Sequence, residues 1–271
     1  MPSLYVVATP IGNLEDMSLR AVRILKEVSL IASEDTRTTR HLLAHFDIHT
    51  RLTSYFEHNK TTKMDYLLQT LTTNDVALVS EAGMPGISDP GYELIVATQR
   101  LGIPVIPIPG PSAAVTALAV SGLPTDCFHY LGFLPRQGGA RRKRLAEAVG
   151  ETCTLVAYEA PHRLIKSLGD IISVLGNRRV AVCRELTKVH EEVFRGTAQE
   201  AVDYFNAPRG EFTLVIAGAE PSLEKMSRAA VHERIKNLKC AGRPAKEAVA
   251  ELACVSGLPR KYLYELWLDT D

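Results

Sequence analysis

The stretch that most constrains this chain is residues 76–91, VALVSEAGMPGISDPG. Val76, Ala77, Leu78 and Val79 form an apolar run without polar alternation, the pattern of a strand buried on both faces of a parallel sheet. Three glycines and two prolines follow within residues 83–91, and a helical pattern resumes at Tyr92. Glycine lets backbone approach a ligand closely and proline fixes the path, so a loop of this make-up at a strand's carboxyl end reads as a binding loop. An ordinary strand–helix connection needs far less.

The rest of the chain repeats the plan. Strands are expected at 4–8, 30–33, near Leu52, at 76–80 and at 105–108. Helices are expected between them, over Leu19, Val22, Leu25 and Val28 (capped by Asp16 or Ser18), over 39–46, over 61–71 and over 92–100. Such alternation implies a parallel sheet covered by helices. PIPGPSA (107–113) is a second stiff loop, with Ser112 placed to cap the next helix. SGLPTD (121–126) marks a boundary, after which strands at 128–133, 154–158, 179–184, 191–197 and 211–217 come closer together and imply a mixed sheet. The tail reads as two or three short helices, with a strand signal only at 263–267. The expected division is an N-terminal α/β lobe at 1–122, a second α/β lobe at 123–220 and a helical extension at 221–271.

With 31 basic and 31 acidic residues among 271, the chain has no net charge, so any attraction to nucleic acid must be local. Two basic patches exist. ARRKR (140–144) opens a helix against its dipole, and residues 225–246 hold seven Lys/Arg and one acid, Glu233. Residues 244–266 have a helix–turn–helix rhythm, with Gly257 in the turn and Arg260, Lys261 and Tyr262 opening the second helix; a small capping bundle would read alike. Five scattered cysteines without a CxxC pair point to reduced thiols in a cytosol. No leader or membrane span is expected.

TPIGN (9–13), with Glu34 and Asp35 ending the next strand, has Rossmann spacing, but Pro10 and a lone glycine replace GxGxxG. His41, His45 and His49 are four apart, yet the helix should end near Asp47, so a solvated face and no metal are expected. YEAPHR (158–163) and CRELTKVHEE (183–192) set Glu159, His162, Arg163, Arg184, Glu185, Lys188, Glu191 and Glu192 just beyond strands, as a polar wall or as interlobe ion pairs.

In order along residues 4–218, TPIGNLED, ASEDTRTTRHLL, SEAGMPGISDPG, PIPGPSA, ALAVSGLP, GFLPR, YEAPHR, RELTKVHEE and GEFTLVIAG resemble the tetrapyrrole methylase (class III) superfamily, in particular its branch acting on ribosomal RNA. Glu81 stands where that pattern usually has Asp, and Met84 where it more often has Thr. The resemblance implies a bilobal α/β homodimer in the cytoplasm with S-adenosylmethionine between the lobes. The methyl acceptor would be a cytidine 2′-hydroxyl in the decoding region of small-subunit rRNA, free or in the assembled 30S subunit.

Carried over by motif, Pro10, Gly83, Met84, Pro85, Ile87, Ser88, Ser112 and Ala113 line the cofactor from the first lobe. Tyr158, Leu186, Thr213 and Leu214 do so from the second. The expected base is Glu191 oriented by Lys188, or an acid of the Glu34/Asp35 pair. Arg37, Arg40, Arg136, Arg141, Arg142 and Arg163 are expected phosphate contacts, since a guanidinium fork meets two oxygens at once. Two other readings stay open: a methyltransferase of small tetrapyrroles, and a non-catalytic RNA-binding module.

Overall fold

The computed structural model describes residues 1–56, 58–220, 228–256 and 258–270, without the side chains of 228, 229, 254 and 255. Residues 1–218 form one compact unit and 219–271 another.

The first unit holds two five-stranded sheets. In the first, β1 (Leu4–Val7), β2 (Leu30–Ser33), β3 (Leu52–Ser54), β4 (Val76–Val79) and β5 (Val105–Ile108) run parallel in the order β3-β2-β4-β1-β5. Helices α1 (Leu19–Glu27), α2 (Thr36–His45), α3 (Lys60–Thr70) and α4 (Tyr92–Arg100) cover it on both faces. Along β4, Ala77 and Val79 meet Ala21, Ile24, Leu25 and Leu43 on one face. Val76 and Leu78 meet Leu67, Leu71 and Leu94 on the other. That is why its sequence shows no alternation. Ser18 caps α1, but the buried stripe is Ala21, Ile24, Leu25 and Val28, and the expected Leu19 is 90% exposed. α2 starts three residues earlier than expected because the Asp35 carboxylate accepts from Arg37 N at 2.7 Å and caps it.

α5 (Ala113–Val120) follows the first sheet but packs on the second. Its Ala114, Ala117 and Leu118 bury against Val156, Ala181 and Val215. The second sheet orders β6 (Phe128–Phe133), β7 (Thr154–Glu159), β8 (Arg179–Arg184), β9 (Glu192–Thr197) and β10 (Phe212–Ile216) as β6-β7-β10-β8-β9. Only β6 and β7 pair in parallel, giving the expected mixed sheet. Its far face is covered by α6 (Gly138–Ala146), α7 (Leu164–Leu175) and α8 (Ala198–Tyr204). Because β6 and β7 begin side by side, Cys127 and Cys153 have Cα atoms 5.1 Å apart and are disulfide-bonded. This corrects the expectation of reduced thiols: 26 residues of separation hid the pair. Cys183 is buried and free, and burial pushes its thiol up to about 11.

The second unit is a three-helix cluster of α9 (Arg228–Cys240), α10 (Ala245–Ser256) and α11 (Arg260–Asp269) around Val231, Ile235, Leu252, Leu263 and Trp267. The strand signal at 263–267 is thus helical, its apolar residues buried at helical spacing. Lys225 at the start of the basic tail and Gly257 in the expected turn lie outside the described residues. Among the described residues no helix is long and apolar enough to cross a membrane.

Candidate active site

β1 and β4 are neighbours, yet the chain leaves β1 for β2 on one side and β4 for β5 on the other. Diverging connections open a crevice at the strands' carboxyl ends. The loops after β1 and β4 meet there: Thr9 N donates to Gly83 O and Gly83 N to Thr9 O, both at 2.9 Å. Gly83 and Gly86 adopt φ of 81° and 82°, which glycine tolerates freely. Ser88 does the same at φ 65° without that licence, and its hydroxyl is tied to the Tyr130 hydroxyl at 2.6 Å. Tyr130 and Phe133 both set their rings edge-on to Tyr158, with centroids 5.4 and 5.2 Å away. The Tyr158 hydroxyl accepts from Ala114 N at 3.2 Å, so the second sheet caps α5. Ser112 occupies the N-cap position, but its hydroxyl makes no cap bond, contrary to expectation.

Opposite lies the turn after β8. Glu185 and Thr187 adopt φ of 49° and 68°, a strained state for a β-branched threonine, costing on the order of 1–3 kcal/mol. Glu191 holds the turn by accepting from Thr187 N at 2.5 Å. The loop after β1 presses on it: a Cβ on Gly12 would collide with Lys188 Cγ. The Thr187 hydroxyl oxygen is buried and has no hydrogen-bond partner among the described residues.

Two groups of acids flank this crevice. Burial, with Glu34 and Glu81 nearby, pushes the Asp89 carboxyl up to about 7, against some relief from the Ser80 hydroxyl. Burial also raises Glu34, more than the Glu81 amide relieves it. The other group is paired: Lys188 Nζ lies 3.1 Å from Glu185 and 2.9 Å from Glu211, and Arg184 is 3.3 Å from Glu192.

Several expected residues converge. Pro10, Gly83, Met84, Ser112, Ala113 and Tyr158 belong to the three facing loops and the wall beside them, with Pro85 buried and Ile87 and Ser88 exposed at the rim. Leu186 and Thr213 are buried, Leu186 in the α5-facing layer.

Others do not converge. Leu214 points to the opposite face, packed with Phe212 and Ile216, because side chains alternate along β10, and the strand is paired on both edges. Lys188 engages Glu185 and Glu211 rather than Glu191, since the turn aims its ammonium at the start of β10. The Asp35 carboxylate is occupied as a helix cap, and the Arg37 amide, first among its partners, holds it below the usual range. Arg141 is buried against Asp170 at 2.6 Å and donates to the Pro135 and Arg136 carbonyls, so it is not a free phosphate contact. Arg142 shares Asp170 at 3.1 Å. Arg163 is tied to buried Glu159 at 2.6 Å and to Leu134 O. Arg37, Arg40 and Arg136 remain exposed. α2 ends at His45, and His49 pairs with Asp47, so the histidine series breaks as expected.

Sequence alone does not single out Asp89 or Tyr130. Asp89 lies in the most constrained loop, but its raised carboxyl depends on Glu34 and Glu81, which the fold brings near. Tyr130 reads as one more strand residue until the register shift in β6 sets its ring beside Tyr158.

A crevice at the strand ends, its glycine- and proline-rich loops and the wall from the second sheet define a class. The family of Tetrapyrrole (Corrin/Porphyrin) Methylases matches residues 3–202, and the chain belongs to it. It is 49% identical over 272 residues to Ribosomal RNA small subunit methyltransferase I of Halalkalibacterium halodurans, covering 98% of this chain and 94% of that one. To the protein of the same name from Synechocystis it is 47% identical, covering 100% and 99%. Among solved structures, diphthine synthase shares the fold at TM-score 0.62 and 12% identity, over 96% of this chain and 100% of that one. Uroporphyrin-III-C-methyltransferase from Thermus thermophilus shares it at 0.54 and 19%, over 80% and 92%.

Proposed function

We propose that this chain transfers a methyl group from S-adenosylmethionine to a cytidine ribose 2′-hydroxyl of small-subunit rRNA near the decoding centre. It acts as a cytoplasmic homodimer on free rRNA or the 30S subunit. The observation that carries the reading is a crevice of backbone-rich loops with Asp89 at its edge, an acid without a cation partner among the described residues, in a chain similar over nearly its whole length to rRNA methyltransferases.

The residues present fit the cofactor. The crevice offers the Thr187 hydroxyl, which has no partner among the described residues, the N-terminus of α5 beside the amide that the Tyr158 hydroxyl takes, apolar surface from Ile11, Ala113 and Leu186, and the Asp89 and Glu34 carboxyls toward a sulfonium. Pro10, Gly83, Met84, Pro85, Ile87, Ser88, Ser112 and Ala113 would hold it from one side, with Tyr158, Leu186 and Thr213 on the other. When bound, the cofactor supplies an electrophilic methyl carbon for in-line displacement.

The chain's own residues align the acceptor oxygen and remove its proton. Alignment alone is worth several kcal/mol, up to about 7–11 in favourable cases. For the proton, Asp89 takes the place of the Glu191–Lys188 pair: burial pushes its carboxyl up to about 7 and no cation among the described residues neutralises it, whereas Lys188 is engaged elsewhere. A base of this kind contributes roughly a hundred- to ten-thousand-fold.

Labelled methyl transfer to small subunits, free rRNA and a porphyrinoid, with ribose-methyl mapping on rRNA from cells with and without the gene, tests the proposal. Incorporation at a cytidine 2′-oxygen is expected. Incorporation into the porphyrinoid alone would move the chain to the small-molecule branch, and absence of cofactor binding by calorimetry would leave an RNA-binding module.

A further inference from the structure

Phe133 is an aromatic residue that the core does not need. Leu131 and Leu134, on either side, fill the core between the second sheet and its covering helices, while Phe133 stays 57% exposed. Tyr130 and Phe133 are three apart, an odd spacing that would put them on opposite faces of a regular strand. A register shift between Tyr130 and Gly132 adds a residue to β6, and both rings land beside Tyr158. Bulges of this kind re-aim side chains next to active sites. Gly132, at φ 70°, lets the strand pass close to the first lobe: a Cβ there would meet Ser88 Oγ at 3.5 Å. Next to Ser88, Ile87 is 49% exposed and gives the same rim a second apolar surface. Arg136, three residues beyond Phe133, is exposed. An aromatic face at the mouth of a crevice, with a cation a few residues on, is the chemistry that receives a base splayed from RNA and its phosphate.

We propose that Phe133 is the stacking platform for the base of the acceptor nucleotide, held out of its helix while its ribose enters the crevice. The inference rests on the RNA-methylating function proposed above. A nucleotide whose ribose must reach a recessed acid has to leave its stack, and the platform replaces the lost neighbour. The face tolerates any base, so it supplies affinity, not sequence choice.

The test uses the full-length protein and small subunits from cells lacking it, with Phe133→Ala, Phe133→Leu, Phe133→Tyr and Phe133→Trp. Phe133→Ala and Phe133→Leu are expected to raise KM for the subunit roughly 5- to 100-fold, the range for one base–aromatic stack. Phe133→Tyr and Phe133→Trp should stay near wild type. Affinity for S-adenosylmethionine, by calorimetry, should be unchanged in all four, which also verifies folding. Unchanged KM in Phe133→Ala, or full rescue by Leu, overturns the platform. Cofactor affinity falling in step with KM overturns it too, by moving the ring to the cofactor's adenine. Wild type that binds cofactor but methylates no subunit removes the function and the platform with it, a result distinct from failure in the variants alone.

Discussion

Two sets of carboxylates flank the crevice, and they differ in what surrounds them. At the turn after β8, Glu185 accepts from Glu211 N at 2.8 Å and meets Lys188 at 3.1 Å, while Glu192 meets Arg184 and the Tyr204 hydroxyl. Burial would raise Glu185, but the Glu211 amide and Lys188 outweigh it and hold it below its ordinary value. At the carboxyl ends of β2 and β4, Glu34, Glu81 and Asp89 crowd one another, and burial raises Glu34 and Asp89. A partnered carboxylate is a strut. One raised toward neutrality by burial and like charge is a proton acceptor, kept at a cost in stability. Density of charge in the sequence points at the first set; the lack of a cation partner among the described residues points at the second.

The sharpest test of that contrast is Asp89→Asn, which removes the acceptor and keeps the shape. Methyl transfer should fall roughly a hundred- to ten-thousand-fold, while calorimetry shows cofactor affinity little changed. In the wild type, kcat should rise as pH climbs through about 7, where Asp89 loses its proton, and the variant should lack that limb. Near-normal turnover in the variant would return the base to Glu34 or to the β8 turn.

The strut side should respond in stability instead. Gly210 has φ 88°, and a Cβ there would lie 2.5 Å from Glu185 Cγ, so Gly210→Ala should cost about 2–3 kcal/mol by urea melt. Lys188→Met leaves Glu185 and Glu211 facing each other without their ammonium. Glu185 is mostly buried but Glu211 is mostly exposed, so about 1–2 kcal/mol is expected, with kcat nearly intact. A collapse of kcat in Lys188→Met without loss of stability would restore its catalytic role.

Asp89→Asn should also stabilise. The ordinary carboxyl value is 3.8 and the folded one about 7. Between them the native state holds a proton that the unfolded state has released, so stability falls as pH rises through that window, and the full penalty applies above it. The variant should therefore melt higher than wild type at pH 8, by about 1 kcal/mol after allowance for solvent screening, and match it at pH 4. Equal melting at both values would mean that Asp89 is relaxed by solvent.

How much of this could be read from sequence depends on the range of the interaction. The parallel sheet was legible because each strand carries its own apolar run, and the mixed sheet because its strands follow closely. The crevice loops were legible because Gly83, Pro85, Gly86 and Pro90 are local conformational constraints. Pairing was not. Nothing near Arg141 in the chain names Asp170, and nothing near Lys188 names Glu211. The Cys127–Cys153 bridge needed the parallel start of β6 and β7, and Phe133 needed a bulge. Asp89 lay in plain view, but its raised carboxyl follows from neighbours 55 residues earlier at Glu34 and across the loop at Glu81.

The smallest expected effect belongs to Glu191. Its carboxylate is exposed and accepts one backbone bond, from Thr187, whose left-handed backbone places a hydroxyl without a partner among the described residues toward the loop after β1. An amide oxygen accepts the same bond, so Glu191→Gln should change kcat by less than about twofold, as expected for an exposed pin rather than a base. Glu191→Ala removes the pin and frees Thr187 to relax from a strained conformation. It should weaken cofactor affinity about threefold to tenfold, with kcat at saturation preserved. That split in KM against kcat separates a residue that holds the turn from one that takes a proton. A hundredfold fall in kcat for Glu191→Gln would reverse the contrast between the two sets of acids.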